Sequence, residues 1–574
     1  MLQKSIHAIG RYIPILQWLS NYRLSWLRQD FMAGLTVWAV MVPTALAYTG
    51  IAGVPAAVGL YTVPLSLLAY AFFGTSGVLI VGPDSATALL SAHTVMMFAT
   101  PDSSEYLALT SVLALLVSLL LIGFGLLRMG WVANFISQPV MQGFVQGLAI
   151  VTLMTQLPKL FGVKQVDGNF FERLGALLSE LPHTHFTTLV MGLASLLLLF
   201  AFSQWFPRLP AAFLTILIAV LAVSLFGLQH SGIALVGNIK AGLPPIGLPK
   251  MDWQHLSLLL QGALAIALLD YTESLAAAET AAQRTGGHID HNQEAIALGM
   301  ANLGSSVSSG FVVAGSLSQS AVSMVAGGKT QMASIFQAAL VLLTLLFLMP
   351  LFSNLPLAVL GAIVVKAMLT MLNPIYFKQL WRIDRTECCL ALAACMGELA
   401  FGILAGIGLG VLLSLIVLIY HTSHPETAVL GKLSNESRTY RDIVLHPEAI
   451  TVPGLLIYRF DAILFFANAS FFAQDLKRRI KNSKQPVQEV LVDAETINSV
   501  DITAAQMLVK LHAQLQAQNI SLSLAGVKDP VWDMMRWTGV EKAIGREHFF
   551  ESISEGVNAF LKQQTITEKS SEKA

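Results

Sequence analysis

The chain has 574 residues, of which 55% are hydrophobic and only 12% are charged. A soluble domain carries about 25% charged residues, so one aqueous core cannot hide this much apolar surface and a bilayer must surround most of the chain. The 34 basic and 34 acidic side chains balance, and nothing in this composition suggests a nucleic-acid partner, which would require a basic stripe.

Charge and hydrophobicity divide the chain into five predicted parts. They are a cytoplasmic N-terminal lead-in at 1–30, a transmembrane domain at 31–422, a linker at 423–439, a cytoplasmic α/β domain at 440–563 and a disordered tail at 564–574. The expected location is a plasma membrane, the bacterial inner membrane, with both termini in the cytoplasm.

About fourteen membrane-spanning segments are predicted, since each needs roughly 20 apolar residues. Clear apolar runs lie at 31–48, 56–74, 107–127, 187–206, 211–228, 331–351 and 355–372, with more polar spans at 131–157, 256–282 and 292–309. The stretch from Cys388 to His421 is long enough for two helices joined at Gly402–Gly410. An even number of spans puts both termini on one side, and the Lys and Arg distribution favours the cytoplasm.

The two remaining segments, 78–98 and 311–327, are interrupted by Gly, Pro, Ser or Gln near their starts. They occupy the third position of each half, the pattern of a transporter binding site. A half-helix that starts inside the membrane leaves its first N–H groups unpaired and carries about half a positive charge there. Two such starts predict an anion site, although a plain kinked helix is the alternative.

Acidic residues in the span 256–282 are the second functional signal. Asp270 and Glu273 share one helical face, and an intramembrane acid is interpreted as functional by default. Asp84 lies beside a half-helix start and either belongs to the site or caps the helix. For Lys366 and Glu398 we expect structural pairing or snorkelling.

The segments "GLTVWAVMVPTALAYTGIAGVPAAVGLY" at 34–61, "VGPDSATA" at 81–88, "FISQPVMQGFVQG" at 135–147 and Ser318–Ala321 resemble the SulP family of anion transporters. "YRFDAILFFANASFF" and "VLVDAETINSVDITAA" resemble its C-terminal STAS domain. The resemblance implies an α-helical polytopic protein, built as a seven-plus-seven inverted repeat with core and gate domains. It also implies a homodimer that works by an elevator motion.

Several roles follow from this resemblance. The substrate would lie between the third and tenth helices, contacting Asp84, Ser85, Ala86, Ser318, Gln319 and Ser320, with Thr44 and Tyr48 lining the pocket. Glu273 stands where proton-coupled members have an acid, with Asp270 beside it. Ala277 makes a sodium site incomplete, and Gln319 replaces an Arg of many animal members.

We therefore expect a secondary transporter of small anions, first of all sulfate, coupled to protons. The alternatives are a C4-dicarboxylate or bicarbonate carrier of the same family and, in other classes, an anion channel or an anion-sensing regulatory protein. No enzyme motif, metal spacing or cofactor site is recognised. In the STAS domain, Asp501 and Thr503 match a regulatory loop; Thr503 is interpreted first as a helix cap and second as a phosphorylation site, and a cytoplasmic protein is the expected partner class.

Overall fold

The computed structural model describes residues 13–101, 103–130, 137–164, 166, 168–206, 209–237, 241–249, 256–433 and 439–571. The chain forms two compact units, Met1–Ser414 and Leu415–Ala574. Each has a hydrophobic core of its own.

Helices dominate the first half of the membrane unit. Its elements are α1 (Ile15–Ser20), α2 (Leu27–Ala52), α3 (Ala56–Phe73), β1 (Ile80–Pro83), α4 (Ser85–Val95), α5 (Ser104–Leu126), α6 (Gln138–Phe161), α7 (Phe170–Glu180), α8 (Phe186–Trp205) and α9 (Ala211–Leu225). Short 3-10 turns lie at Leu24–Trp26, Leu181–His183 and Leu228–His230.

The second half repeats this order. Its elements are α10 (Leu256–Thr285), α11 (His291–Val307), β2 (Val313–Ser316), α12 (Leu317–Val325), α13 (Met332–Leu343), α14 (Leu357–Met371), α15 (Pro374–Ile383), α16 (Arg385–Phe401) and α17 (Ile403–Ser423). α13 continues through a π-helical turn and a 3-10 turn to Phe352. In both halves the third segment is a short strand followed by a short helix, so the predicted polytopic fold with interrupted third segments is confirmed.

Among the described residues, eight helices are long and apolar enough to cross a membrane, and α9 is a shorter apolar helix. The join between the last two helices differs from the prediction. Only Gly402 interrupts the chain there, with a φ of 86° that favours glycine, whereas Gly410 lies inside α17.

The second unit is a small α/β domain. Its elements are β3 (Thr427–Lys432), β4 (Tyr440–Asp442), β5 (Leu455–Phe460), α18 (Ala469–Lys481), β6 (Glu489–Asp493), α19 (Ile502–Gln516), β7 (Ser521–Ala525), α20 (Asp529–Trp537), α21 (Val540–Ile544), β8 (Phe549–Phe550) and α22 (Ile553–Ser571), with a 3-10 turn at Arg546–His548. The strand order is β4-β3-β5-β6-β7-β8. β5 to β8 are parallel, as helical crossovers require, and β3 is antiparallel to both neighbours.

Two predictions about the ends of this domain are wrong. Residues 427–432, expected in the linker, form β3, because alternate apolar residues there cover the core. Helix α22 continues past residue 563, so residues 564–571 of the expected disordered tail are helical. Residues 572–574 of that tail lie outside the described residues.

Candidate anion and proton site

The two interrupted segments meet as a two-stranded antiparallel ladder. β1 pairs with β2 in the register Ile80 to Ser316 and Pro83 to Val313. Because antiparallel strands run in opposite directions, α4 and α12 begin at opposite ends of the ladder, about 10 Å apart along it. The Ser320 hydroxyl on α12 ties the two segments together, accepting from the Ile80 amide at 2.9 Å and donating to the Ser316 carbonyl at 2.6 Å.

The start of α4 is capped by its own acid. The Asp84 carboxylate accepts hydrogen bonds from the backbone amides of Ala86 at 2.7 Å and Thr87 at 3.3 Å. The Tyr48 side chain on α2 lies close to the side chains of Ser85 and Asp84. Asp84, Ser85, Ala86 and Tyr48 therefore lie together, but two of the free amides expected at this helix start already have a partner.

The start of α12 is less occupied. The Ser316 hydroxyl caps this helix weakly, accepting a hydrogen bond from the backbone amide of Gln319 at 3.4 Å. Ser318 is exposed, and its hydroxyl lies 3.2 Å from that of Ser316. Gln319 is 4% exposed; its Nε2 donates to the Thr44 hydroxyl at 3.5 Å, and its Oε1 is buried without a partner among the described residues. The amide and hydroxyl of this pair face each other between α2 and α12.

The two acids of α10 differ in their surroundings. Asp270 is fully buried and accepts from the Ser274 hydroxyl at 2.7 Å and from Nδ2 of Asn302 at 3.1 Å. Ser274 in turn accepts from the Gly315 amide, and Asn302 bonds both backbone groups of Val313. Asp270 thus supports strand β2.

Glu273 is partly exposed. Within the part of the chain that the structure describes, no hydrogen bond or ion pair involves its carboxyl group. The charges that act on it are the carboxyls of Asp84 and Asp270. The site therefore combines three acids, and no described lysine or arginine is among the groups that act on them.

A cavity of about 970 Å³ opens at the end of the membrane unit where α2 finishes. Ala47 on α2 and Leu89 on α4 line it, each within a turn of the site, whereas Thr44, Tyr48, Ser85 and Gln319 do not. The cavity therefore lies next to the site but does not include these four residues.

Sequence reasoning missed the residues that hold the site in place. Ser274 and Asn302 are polar residues inside predicted membrane spans, and this is the signal by which sequence analysis could have found them. Two further acids, Asp30 and Glu294, were also missed, although both are fully buried in the membrane unit.

In the second unit, the predicted cap is wrong. Asp501, not Thr503, caps α19, accepting from the Ala504 amide at 2.7 Å. Asp501 also accepts from the Phe466 amide at 2.8 Å. Thr503 is exposed in the first turn of α19, so its hydroxyl is accessible.

Comparison with known proteins identifies both units. The model of the sulfate permease family matches residues 27–394, and that of the STAS domain matches residues 446–556. A protein named probable sulfate transporter from Mycobacterium tuberculosis is 34% identical over 543 residues, which cover 95% of this chain and 97% of that protein. Sulfate transporter 3.1 of Arabidopsis thaliana is 28% identical, covering 97% of this chain and 88% of its own length.

Two solved structures share the fold. The murine Solute Carrier 26 family member A9 anion transporter has a TM-score of 0.87 at 24% identity, covering 96% of this chain and 94% of its own. The transmembrane domain of the cyanobacterial bicarbonate transporter BicA has a TM-score of 0.61 at 22% identity, covering 67% of this chain and 99% of its own. The resemblance of the sequence motifs is confirmed: this chain belongs to the sulfate permease family of membrane transporters and carries a STAS domain after its membrane unit.

Proposed function

We propose that this protein is a proton-coupled symporter of a small oxyanion, with sulfate as the first candidate. Sulfate is favoured because relatives of this chain include proteins named sulfate transporter or probable sulfate transporter. From the family resemblance we also propose a homodimer, an elevator motion, and a plasma-membrane location with both termini in the cytoplasm.

Proton coupling is supported by the charge of the site. Asp84, Asp270 and Glu273 interact electrostatically, and no described cation is among the groups acting on them. An anion would be repelled by three carboxylates in a medium of low dielectric constant. A proton that enters with the anion removes one of these negative charges, so the two ligands favour each other's binding.

Glu273 is the carboxyl best suited to carry that proton. Asp84 is held by two backbone amides and Asp270 by Ser274 and Asn302. Those bonds would have to change if either acid were to exchange a proton, whereas the Glu273 carboxyl has no bond of this kind to break. Asp270 is therefore assigned a supporting role beside it.

The anion itself would contact the less occupied end of the ladder. The start of α12 offers the Ser318 hydroxyl and the Gln319 side-chain amide as donors, whereas the first amides of α4 are already bonded to Asp84. Thr44 lies beside Gln319, and its own hydroxyl donates to carbonyls of α2. Amide O and N atoms are exchangeable by a flip of the side chain, so Gln319 can present its NH₂ group to an oxyanion. Any small oxyanion satisfies this chemistry.

The direct test is uptake of labelled sulfate into proteoliposomes with an inward proton gradient and the membrane potential clamped. One proton coupled to each anion supports about tenfold accumulation for each pH unit of gradient. A protonophore should abolish the accumulation, and unlabelled fumarate, succinate and bicarbonate in separate trials would show whether sulfate is preferred. Efficient competition by bicarbonate or a dicarboxylate would select the alternative carrier.

The coupling residue is tested by Glu273→Gln, with Glu279→Gln on the same helix as the matched control. Glu279 is partly exposed and pairs with His291 at 2.9 Å, away from the ladder. We expect Glu273→Gln to equilibrate sulfate without concentrating it, while Glu279→Gln accumulates sulfate normally. Accumulation by the Glu273 variant that still follows the proton gradient would disprove the assignment.

The two alternative classes of protein, an anion channel and an anion sensor, would give different results with the purified protein. Unitary currents in a planar bilayer would indicate an anion channel. Binding of sulfate without any movement across the membrane would indicate a sensor that signals through the STAS domain.

A further inference from the structure

One buried acid of the membrane unit lies outside the site described above. Glu398 on α16 is 1% exposed, so the expected snorkelling does not occur. It occupies a slot lined by glycine: a Cβ added at Gly147 of α6 would lie 2.6 Å from Glu398 Oε2, and one added at Gly406 of α17 would lie 2.8 Å from Glu398 Cβ. Only glycine at these positions leaves room for this carboxyl.

In the part of the chain that the structure describes, the expected pairing of Glu398 with another polar side chain is not seen either. Among the described residues, neither carboxyl oxygen of Glu398 has a hydrogen-bond partner; the Leu148 amide lies nearby without forming a bond of normal geometry. The buried acids Asp30 and Glu294 are different, because three donors surround Asp30 and four surround Glu294. A buried ionised carboxylate without such donors is costly, so this slot accommodates the neutral acid.

Glu398 nevertheless borders a cavity, although its two carboxyl oxygens are themselves covered. It lines the 970 Å³ cavity together with Val151 and Thr155 of α6. Its contact with Gly147 places it near the middle of α6, which begins at Gln138 and ends at Phe161. Glu398 therefore borders, near the middle of α6, the cavity that opens on the side where α2 ends.

The charged neighbours do not neutralise this carboxyl. Lys159 at the far end of α6 donates to the Gly50 carbonyl at 3.0 Å and lies 12 residues, about 18 Å, beyond Gly147. The other titratable groups of α16 are Arg385, Glu387, Cys388, Cys389 and Cys395; the neighbouring elements add, among others, Glu172, Arg173 and Glu180 on α7, Tyr376, Lys378 and Arg382 on α15, and His93 of α4 close to Gly402. No described ion pair joins any of them to Glu398.

We propose that Glu398 is a second proton-binding group of this protein, loaded from the cavity and separate from Glu273. The neutral acid leaves the cavity free of a fixed negative charge at its inner end, and the ionised form would repel an incoming oxyanion. Anion entry from the side where α2 ends should therefore fall when the pH on that side rises. This consequence rests on the proposed transport function, whereas proton binding itself does not.

Chemical labelling tests proton binding on the unmodified protein. A hydrophobic carbodiimide adds to a protonated buried carboxyl and leaves an acylurea on the side chain, which peptide mass spectrometry locates. We expect labelling of Glu398 at low pH that disappears as the pH rises, whether or not the protein transports sulfate. Failure to label Glu398 at any pH where Glu273 reacts would overturn the proposal.

Transport tests the consequence. Glu398→Gln should weaken the dependence of sulfate entry on pH at the cavity side but keep accumulation driven by the gradient, whereas Glu273→Gln should lose that accumulation. Glu387→Gln, a partly exposed acid in the first turn of the same helix, is the matched control and should behave as wild type. An unchanged pH profile in Glu398→Gln would contradict the proposal; if that variant does not fold, the labelling result decides.

Discussion

Carboxyl groups of the membrane unit differ in the number of donors that surround them. Asp30 and Glu294 are fully satisfied and tie distant loops to helices, because their donors come from residues 329–330 and 70–76 respectively. Glu273 and Glu398 have no such donors among the described residues. Buried polar groups are normally hydrogen-bonded, and this lack of donors is the reason that we propose Glu273 and Glu398 as proton-binding groups.

In the STAS domain, Asp475 on α18 shows how donors act on a carboxyl. Burial alone would raise its pKa, but the Thr427 hydroxyl, Arg478, Arg479 and the Tyr458 hydroxyl together hold the pKa below its ordinary value. The Thr427 and Tyr458 hydroxyls donate to it at 2.8 Å and 3.1 Å. This carboxylate joins α18 to strands β3 and β5.

We predict that Asp475→Asn destabilises the STAS domain by about 2 kcal/mol at neutral pH, because hydrogen bonds to a charged group are lost. A depressed folded-state pKa contributes stability above the unfolded value of about 3.9, and that stability is lost as the pH falls through the folded-state pKa. The difference between variant and wild type should therefore shrink as the pH falls below about 3.9. Hydrogen-exchange protection of β3 and α18 in the full chain measures it; a pH-independent difference would contradict the ionic explanation.

At the scale of elements, the interrupted segments support each other. Each strand has only four residues, and an isolated pair of strands is marginal in stability. Ser320 bonds both strands, while Ser274, Asn302 and, through them, Asp270 hold β2 to α10 and α11. The two halves of the chain thus complete one site that neither could form alone.

Helices α6 and α16 approach each other through glycine. A Cβ added at Gly143 would lie 2.0 Å from the Ala391 carbonyl oxygen, a backbone atom that cannot move aside cheaply. The same face carries Gly147, which makes room for Glu398.

We predict that Gly143→Ala destabilises the membrane unit by about 1–3 kcal/mol, the usual cost of overpacking. Gly123→Ala is the control, since Gly123 lies in helix α5 with no atom within 4 Å of an added Cβ. That change should be neutral or stabilise by about 0.4–1 kcal/mol. Thermal unfolding of the purified proteins in detergent compares them, and equal losses in both variants would refute the packing argument.

At the scale of the whole molecule, the membrane unit and the second unit each have a separate hydrophobic core. The membrane core collects residues from Val37 to Leu399, and the main core of the second unit collects residues from Leu456 to Ile544. The family matches divide in the same way, with residues 27–394 in the first unit and 446–556 in the second.

We predict that the two units unfold separately, because each buries its own apolar surface. In a urea titration of the full chain in detergent, hydrogen exchange in β5, β6 and β7 should become unprotected at a lower urea concentration than in α5, α6 and α11. A single transition shared by both sets of peptides would show that the units unfold as one cooperative body.

The sequence by itself determined the membrane character, the two interrupted segments, the α/β domain and the family. These features depend on the length of hydrophobic runs and on short motifs. Both are formed by residues that are neighbours in the sequence, so they can be recognised without the structure. Within the second unit, local residues also mark the ends of elements: α20 (Asp529–Trp537) has Pro530 in its first turn and Gly539 two residues after its end.

Only the tertiary structure decided which polar groups are already satisfied. Asp84 and Asp501 are caps, Asp270 is a support for β2, and Glu398 lies unpaired in a glycine slot. In each case the deciding partner is either an amide whose direction depends on the backbone or a residue far away in the chain. Hydrogen-bond satisfaction is a property of three-dimensional neighbours, so sequence spacing could locate these acids but could not assign their roles.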